Sequence, residues 1–240
     1  MTASDAGGRV VRVTGCDLAV EPGAWAFAED RREEIEEHWV RRKAEGAPYF
    51  NGVIHLMRRH SISDAMFTAR FVPTDFKSYL YWRDSGFPDE GVADAFGSAL
   101  VRSAEGHVLL GRQRAGNINS GLTYLPGGFI DAHDVAADGQ IDIEGSIARE
   151  LLEETGLAGP ALERVPGYLV TFAGPLLSIA AEFLADLPSQ TLRETMLGHL
   201  RGDAQSELVD IIVVRSAGDL EGLAMPPYAR VLLTSLFGAP

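Results

Sequence analysis

From Val165 to Ala181 the chain carries no charged side chain. A membrane-crossing helix needs about 20 apolar residues, and this run is shorter and broken by Gly174-Pro175. Gly and Pro punctuate turns. The run therefore reads as two buried strands, Gly167 to Ala173 and Leu176 to Ala185, joined by a turn. Around it the periodicity predicts further strands at Phe96 to Ser103, Val108 to Gln113, Leu122 to Leu125 and Leu208 to Arg215. Helices are predicted at Ile143 to Thr155, Thr191 to Leu200 and Tyr228 to Phe237. Strands and helices interleave, which points to an α/β layered fold.

The first ninety-odd residues have their own pattern. Val10 to Val20 reads as a strand region, and Val53 to Ile62 and Ala65 to Val72 as two strands around a Ser-Asp turn. Asp30 to Glu45 reads as a helix with Ile35 and Trp39 on one side, acidic in its first half and basic in its second, which complements the helix dipole. A short helix follows at Asp75 to Trp82, with Phe76, Tyr79 and Leu80 on one face. The Gly, Pro and acid-rich stretch from Arg83 to Gly91 is the best boundary. It predicts a small N-terminal α+β extension over 1–93 and a main domain over 94–240.

With 21 basic against 34 acidic residues, the net charge is −13. Such a chain is repelled by nucleic acid and by anionic membranes unless its basic residues cluster, so neither is expected as a partner. An anionic small molecule stays open, because a bound metal inverts the sign of a site. Cys16 is the one cysteine and has no intrachain disulfide partner. It reads as a small apolar residue in a reducing compartment. Met1 to Gly8 has no targeting pattern, and a cytoplasmic protein is expected. The oligomeric state is not readable. The six histidines show no metal-ligand spacing; His133 is read as a loop surface residue.

The chemistry concentrates in Arg149-Glu150-Leu151-Leu152-Glu153-Glu154-Thr155-Gly156-Leu157. Glu150, Glu153 and Glu154 stand at i, i+3 and i+4, one face of a helix. Like charges at this spacing cost a helix a few tenths of a kcal/mol each, and a hard divalent cation compensates them. Mg²⁺ takes oxygen ligands and keeps waters for exchange. Ile147, Ala148 and Leu151 form the other face, with Leu152 at its margin. Asp142 suits the start and Gly156 the left-handed residue past the end. Upstream, Leu125-Pro126-Gly127-Gly128 follows a strand, and its glycines allow close approach of backbone to a metal or phosphate.

Arg-Glu-apolar-any-Glu-Glu-any-Gly-apolar resembles the second half of the Nudix box, and Leu-Pro-Gly-Gly resembles its entry. The longer string arises by chance in a chain of this length on the order of one time in 10⁵. The resemblance implies a Nudix fold, a mixed β-sheet in an α/β/α sandwich. It also implies Mg²⁺-dependent hydrolysis, with Mn²⁺ as a substitute, of a nucleoside diphosphate linked to another group. On it, Glu150, Glu153 and Glu154 hold metal, with the Gly127 or Gly128 carbonyl as a further ligand. Glu154 or Glu207 is the base, with Glu182 competing for the role of Glu207. Arg149 orients a glutamate, and Arg112 or Arg114, together with Gly127, meets the phosphates. The pattern departs from the family at one place. Asp134 stands where a glutamate is usual, and Val135 to Ala148 put fourteen residues, not seven, before Arg149. Asp134 is a candidate supporting acid, with Glu144 as its alternative. The order of elements, with Trp39, Arg42 and Tyr79 to Arg83, also resembles an animal Nudix enzyme that hydrolyses UDP-glucose. UDP-sugars and ADP-ribose are therefore the expected substrates. A nucleotide-sensing or partner-binding domain without catalysis is the other class.

Overall fold

A computed structural model describes residues 8–238. The segment read for targeting signals lies outside them except for Gly8. In chain order the elements are β1 (Arg9–Val13), β2 (Gly15–Val20), α1 (Ala26–Asp30), α2 (Arg32–Ala44), β3 (Val53–Ser63), β4 (Met66–Asp75) and α3 (Phe76–Asp84). Then come β5 (Asp94–Arg102), β6 (Val108–Gln113), β7 (Thr123–Tyr124), β8 (Gly127–Phe129), α4 (Ile143–Thr155) and β9 (Leu162–Arg164). The last are β10 (Tyr168–Ala173), β11 (Leu176–Ala185), α5 (Ser189–Gly202), β12 (Leu208–Val214) and α6 (Pro227–Phe237).

Among the described residues, nine strands make a mixed sheet whose main path runs β1-β10-β11-β5-β6-β12, with β7, β8 and β9 attached to β6, β5 and β11. β11 and β5 pair in parallel and β10 and β11 as an antiparallel hairpin, so the uncharged run lies at the centre of the sheet. Helices cover both faces. Ile143, Ile147 and Leu151 of α4 and Leu192, Met196 and Leu200 of α5 join one apolar cluster. Tyr228, Ala229, Leu232 and Leu233 of α6 join another on the opposite face. This is the α/β/α sandwich of the Nudix fold. Among the described residues, no helix is long and apolar enough to cross a membrane.

The strand region from Val10 to Val20 divides into two strands in two sheets. β1 pairs antiparallel with β10 in the large sheet. β2 pairs parallel with β4 in a three-stranded sheet, β2-β4-β3. Thr14 stands between them, its N–H donating to the Ala65 carbonyl at 2.7 Å. Phe67 and Phe71 of β4 pack in the same cluster as α4. Backbone bonds also tie β3 to the main sheet's approaches: His55 N–H to the Ile130 carbonyl at 3.0 Å, and Met57 N–H to the Ala93 carbonyl at 2.9 Å.

α3 starts at Asp75, whose carboxylate accepts from the Ser78 N–H at 3.0 Å, satisfying an otherwise orphaned helix donor. Tyr79, Leu80 and Trp82 are buried, while Phe76 and Tyr79 meet Phe129 of β8 edge-on, with centroids 5.9 and 4.9 Å apart. That contact brings the N-terminal helix to the strand that carries Gly127 and Gly128.

The stretched loop before Arg149 has a defined seat. β2 is an edge strand of the small sheet, and the loop closes on it. Val20 N–H donates to the Gly139 carbonyl and Ile141 N–H to the Leu18 carbonyl, both at 2.8 Å. The additional residues thus satisfy an exposed strand edge and leave α4 regular.

Candidate active site

α4 follows from its sequence residue by residue. The Asp142 carboxylate accepts from the Gly145 N–H at 2.9 Å. The helix ends at Gly156, whose φ of 72° suits glycine and whose N–H returns to the Leu152 carbonyl. Ile143, Ser146, Ile147, Leu151 and Thr155 form the buried face. Ala148, expected there, is exposed instead. Helix and sheet approach closely because β5 carries Gly97, where a Cβ would stand 2.7 Å from Ile147 Cγ1.

β8 is the part of the site that the sequence pattern did not show as a strand. It pairs with β5, Gly128 against Gly97 and Gly127 against Ser98. A Cβ on Gly127 would collide with the Gly97 carbonyl oxygen and stand 2.8 Å from Ser98 Cα. A Cβ on Gly128 would stand 2.6 Å from the Glu150 carboxylate carbon. The first glycine is needed by the sheet, and the second makes room for an acid.

The solvent-facing side of α4 forms the floor of a cleft of about 1670 Å³. Glu150, Glu153, Glu154, Gly127, Gly128, Glu207 and Arg114 all line it. The Gly127 N–H donates to Glu154 Oε2 at 2.8 Å. Arg149 Nη1 donates to Glu150 Oε1 at 2.6 Å. Glu153 points outward, with its side chain 60% exposed. Burial pushes the Glu150 carboxyl up to about 7, with Arg149 opposing and Glu153 and Asp134 adding to the rise. Burial also holds Glu154 well above the usual carboxylate range; the Gly127 N–H opposes, and the charges of Glu150, Glu207 and Glu153 reinforce the shift. The site therefore concentrates carboxyl groups that have been drawn out of water and whose charged forms call for a compensating cation.

Asp134 is buried and acts as a hub. It accepts from the Asp131 N–H at 3.0 Å, from Ser146 Oγ at 3.0 Å and from Arg149 Nη2 at 3.1 Å. Its chain of contacts runs Asp134 to Arg149 to Glu150. Glu144, the alternative supporting acid, turns away to Tyr168 and Arg164. Glu182 is likewise remote from the cleft, paired with Arg102 at 2.7 Å and Arg12 at 3.5 Å. Glu207 instead lies in the turn before β12, facing the cleft, 3.4 Å from Gln113 Nε2. Of the two arginines on the β6 segment, Arg112 leans toward Asp210 at 3.8 Å and does not line the cleft. Arg114 does, one residue past the strand end. His133 sits on the cleft rim, its side chain 87% exposed.

As the side chains stand, no three acidic, histidine or cysteine groups among the described residues converge to hold an ion. Arg149 and the Gly127 N–H each engage one of the carboxylates. The donor chemistry nonetheless fits a hard cation: three carboxylates on one helix face, two of them held above their ordinary range by burial and mutual repulsion, and a backbone stretch opened by glycine.

The far wall of the cleft includes residues that the motif did not reveal. Asp94, the first residue of β5, is buried and accepts from Tyr79 Oη at 2.7 Å. Its other oxygen has no protein partner. Burial raises its carboxyl to about 6, against the opposing effects of the Tyr79 hydrogen bond and the Arg83 charge; Tyr228 is the other titratable neighbour. The available signal was an acid at the head of an apolar strand. Because the folded-state pKa is raised, ionising Asp94 costs stability. The contribution is fully present below its ordinary value of 3.8 and is lost as pH rises through about 6. Asp94→Asn should remove that loss. The stability difference, variant minus wild type, should shift toward the variant by about 3 kcal/mol between pH 3.5 and 7. Urea unfolding of both proteins across that range checks it, and a constant difference would show that Asp94 does not titrate there.

The NUDIX domain family model matches residues 93–184, the stretch from the entry of β5 to near the end of β11. No curated protein sequence matches the chain. Among solved structures, the chain is similar to a MutT protein from Methanosarcina mazei Go1 at 23% identity, covering 60% of this chain and 91% of that one, with a TM-score of 0.39. It is similar to a Nudix hydrolase from M. smegmatis at 18% identity, covering 59% and 81%, with a TM-score of 0.38. It is also similar to a bifunctional NMN adenylyltransferase/ADP ribose pyrophosphatase from Francisella tularensis, complexed with AMP and a manganese ion. There the identity is 19%, the coverage 66% of this chain and 44% of that one, and the TM-score 0.42. The acidic helix, the glycine strand that faces it and the matched residues 93–184 together identify a Nudix domain in this chain.

Proposed function

We propose that this chain is a divalent-metal-dependent hydrolase that cleaves the diphosphate linkage of a small nucleotide-type substrate, with UDP-sugars and ADP-ribose as the leading candidates. The observation that carries the reading is the convergence of Glu150, Glu154 and Glu207 on one cleft with the two glycines of β8. Glu150, Glu153 and Glu154, with the Gly127 or Gly128 carbonyl, would hold Mg²⁺ or Mn²⁺. When bound, the metal neutralises phosphate charge and lowers the pKa of an attacking water.

The chain's own groups supply the rest. Glu154 or Glu207 takes the proton of the water. Glu154 is positioned by the Gly127 N–H, and Glu207 by Gln113. Arg149 is fixed between Asp134 and Glu150 and sets the direction of the Glu150 carboxylate, a second layer of positioning typical of metal sites. Arg114 is the arginine of the pair on the β6 segment that reaches the cleft.

The test is turnover with Mg²⁺ on UDP-glucose, ADP-ribose, NADH, coenzyme A, diadenosine polyphosphates and nucleoside triphosphates, with phosphate or nucleotide release as the readout. One substrate is expected to stand out, with activity lost on chelation and restored by Mg²⁺ or Mn²⁺. Metal-dependent binding of a nucleotide without turnover on any member of the panel would instead establish a sensing domain.

A further inference from the structure

We propose that Arg83, contributed by the N-terminal helix α3, is a nucleotide-phosphate anchor of the cleft, binding the phosphate attached to the nucleoside. The inference rests on reading the acidic helix as the hydrolytic centre. It adds a binding residue from outside the Nudix domain.

Arg83 lies in the last turn of α3 and lines the same cleft as Glu150, Glu154 and Gly128. It is half-buried. Its Nη2 donates to Asn119 Oδ1 at 3.0 Å, and it makes no ion pair among the described residues. A guanidinium has five N–H donors in a planar fork. One is used to seat the group, and the fork remains available for an oxyanion, which it can meet with two parallel hydrogen bonds. Asn119 is itself fixed, its N–H donating to Gln113 Oε1 at 2.7 Å. Gln113 also reaches Glu207. The seat of Arg83 is therefore continuous with the seat of a candidate base.

The charge pattern of the cleft gives Arg83 its role. The floor is acidic, and Arg83, Tyr124 and Glu154 line the same cleft. Burial dominates the raised pKa of Tyr124, Glu154 pushes it further up, and Arg83 pulls it down. Tyr124 thus feels both poles. A diphosphate whose metal-bound end lies on the glutamates would need a cation for its remaining charge, and Arg83 offers one fixed in place. Beside it, Phe76, Tyr79 and Phe129 form an aromatic wall, and Ile118 lines the cleft nearby. Ring surface next to a phosphate-binding fork matches a nucleoside monophosphate unit.

The experiment is a ligand-by-residue cycle at equilibrium, with probes that contain no diphosphate bond. Binding of UMP and of uridine, and of AMP and of adenosine, is measured by calorimetry for the wild type, Arg83→Gln, Arg83→Lys and Asn119→Asp. The wild type is expected to bind one of the monophosphates at least ten-fold more tightly than its nucleoside. Arg83→Gln should bind the two alike, and Arg83→Lys should retain part of the preference. Asn119→Asp should weaken the preference by pairing the guanidinium internally, which keeps the test available if Arg83→Gln fails to fold. A wild type that is indifferent to the phosphate, or that binds neither nucleotide, overturns the proposal. So does an Arg83→Gln protein that keeps the ten-fold preference. Binding is read without turnover, so failure of the hydrolytic reading shows only in the substrate panel and is distinguishable from failure of the anchor.

Discussion

Glu154→Gln should lower turnover by about 10²–10⁴-fold, the range for loss of a positioned acid–base group, without lowering the stability of the fold. Two features make the outcomes separable. First, the glutamine carbonyl oxygen can still accept from the Gly127 N–H that now reaches Glu154 Oε2 at 2.8 Å, so the contact between α4 and β8 is kept. Second, the wild-type carboxylate is opposed by burial and by Glu150, Glu207 and Glu153. A neutral isostere removes that repulsion, and the melting temperature should be unchanged or higher. Glu153→Gln should also abolish turnover, and because the Glu153 side chain is mostly exposed its effect on stability should be small. The measurements are kcat on the best substrate of the panel and thermal unfolding of the same preparations. Near-wild-type kcat in either variant with Mg²⁺ present would remove these glutamates from the chemistry.

The helix behind that prediction is legible in the sequence except for Ala148, which the pattern puts on the buried face and the fold leaves exposed. Its range, both ends and its acidic face follow from local pattern, because capping and periodicity are local effects. What was not legible depended on partners far along the chain. β8 has no strand pattern of its own, since its pairing partner Gly97 lies some thirty residues earlier. Glu207 stands ahead of Glu182 in the sequence only by its place just before a strand; only the fold reveals that Arg102 and Arg12 neutralise Glu182 and that the turn before β12 opens Glu207 to the cleft. Arg112 and Arg114 share a parity and would share a face on a continuing strand. β6 ends at Gln113, so the alternation lapses there and only Arg114 reaches the cleft. The split of Val10 to Val20 into two sheets is similar, since nothing local distinguishes a strand from a crossing between sheets. Asp94, Tyr79 and Arg83 escaped the motif because they face the cleft from β5 and α3, outside the box.

Asp134→Ala should be the most destabilising single change in the site, costing about 3–5 kcal/mol, the range for breaking a buried charge pair. The Asp134 side chain is 4% exposed and holds Arg149 at 3.1 Å. Its carboxylate also satisfies the Asp131 N–H and Ser146 Oγ, so truncation leaves donors from three residues without their acceptor. The backbone bond from Asp142 N–H to the Asp134 carbonyl at 2.8 Å survives, as do the loop's bonds to β2. The loss should therefore fall on the Arg149 side chain rather than on the helix start. Released from Asp134, Arg149 keeps Glu150 at 2.6 Å and stands 3.7 Å from Glu153, and it would follow those acids into the cleft. A guanidinium there competes for the carboxylates that a metal needs, so turnover should also fall, by about 10–100-fold, and partly recover at high Mg²⁺. Asp134→Asn keeps the shape and two of the acceptor contacts but not the charge, and should lie between wild type and Asp134→Ala in both measurements. Urea unfolding and a Mg²⁺ titration of kcat test the pair of effects together. If Asp134→Ala unfolds at the wild-type urea concentration, or its turnover is low but indifferent to Mg²⁺, then Asp134 does not act through Arg149.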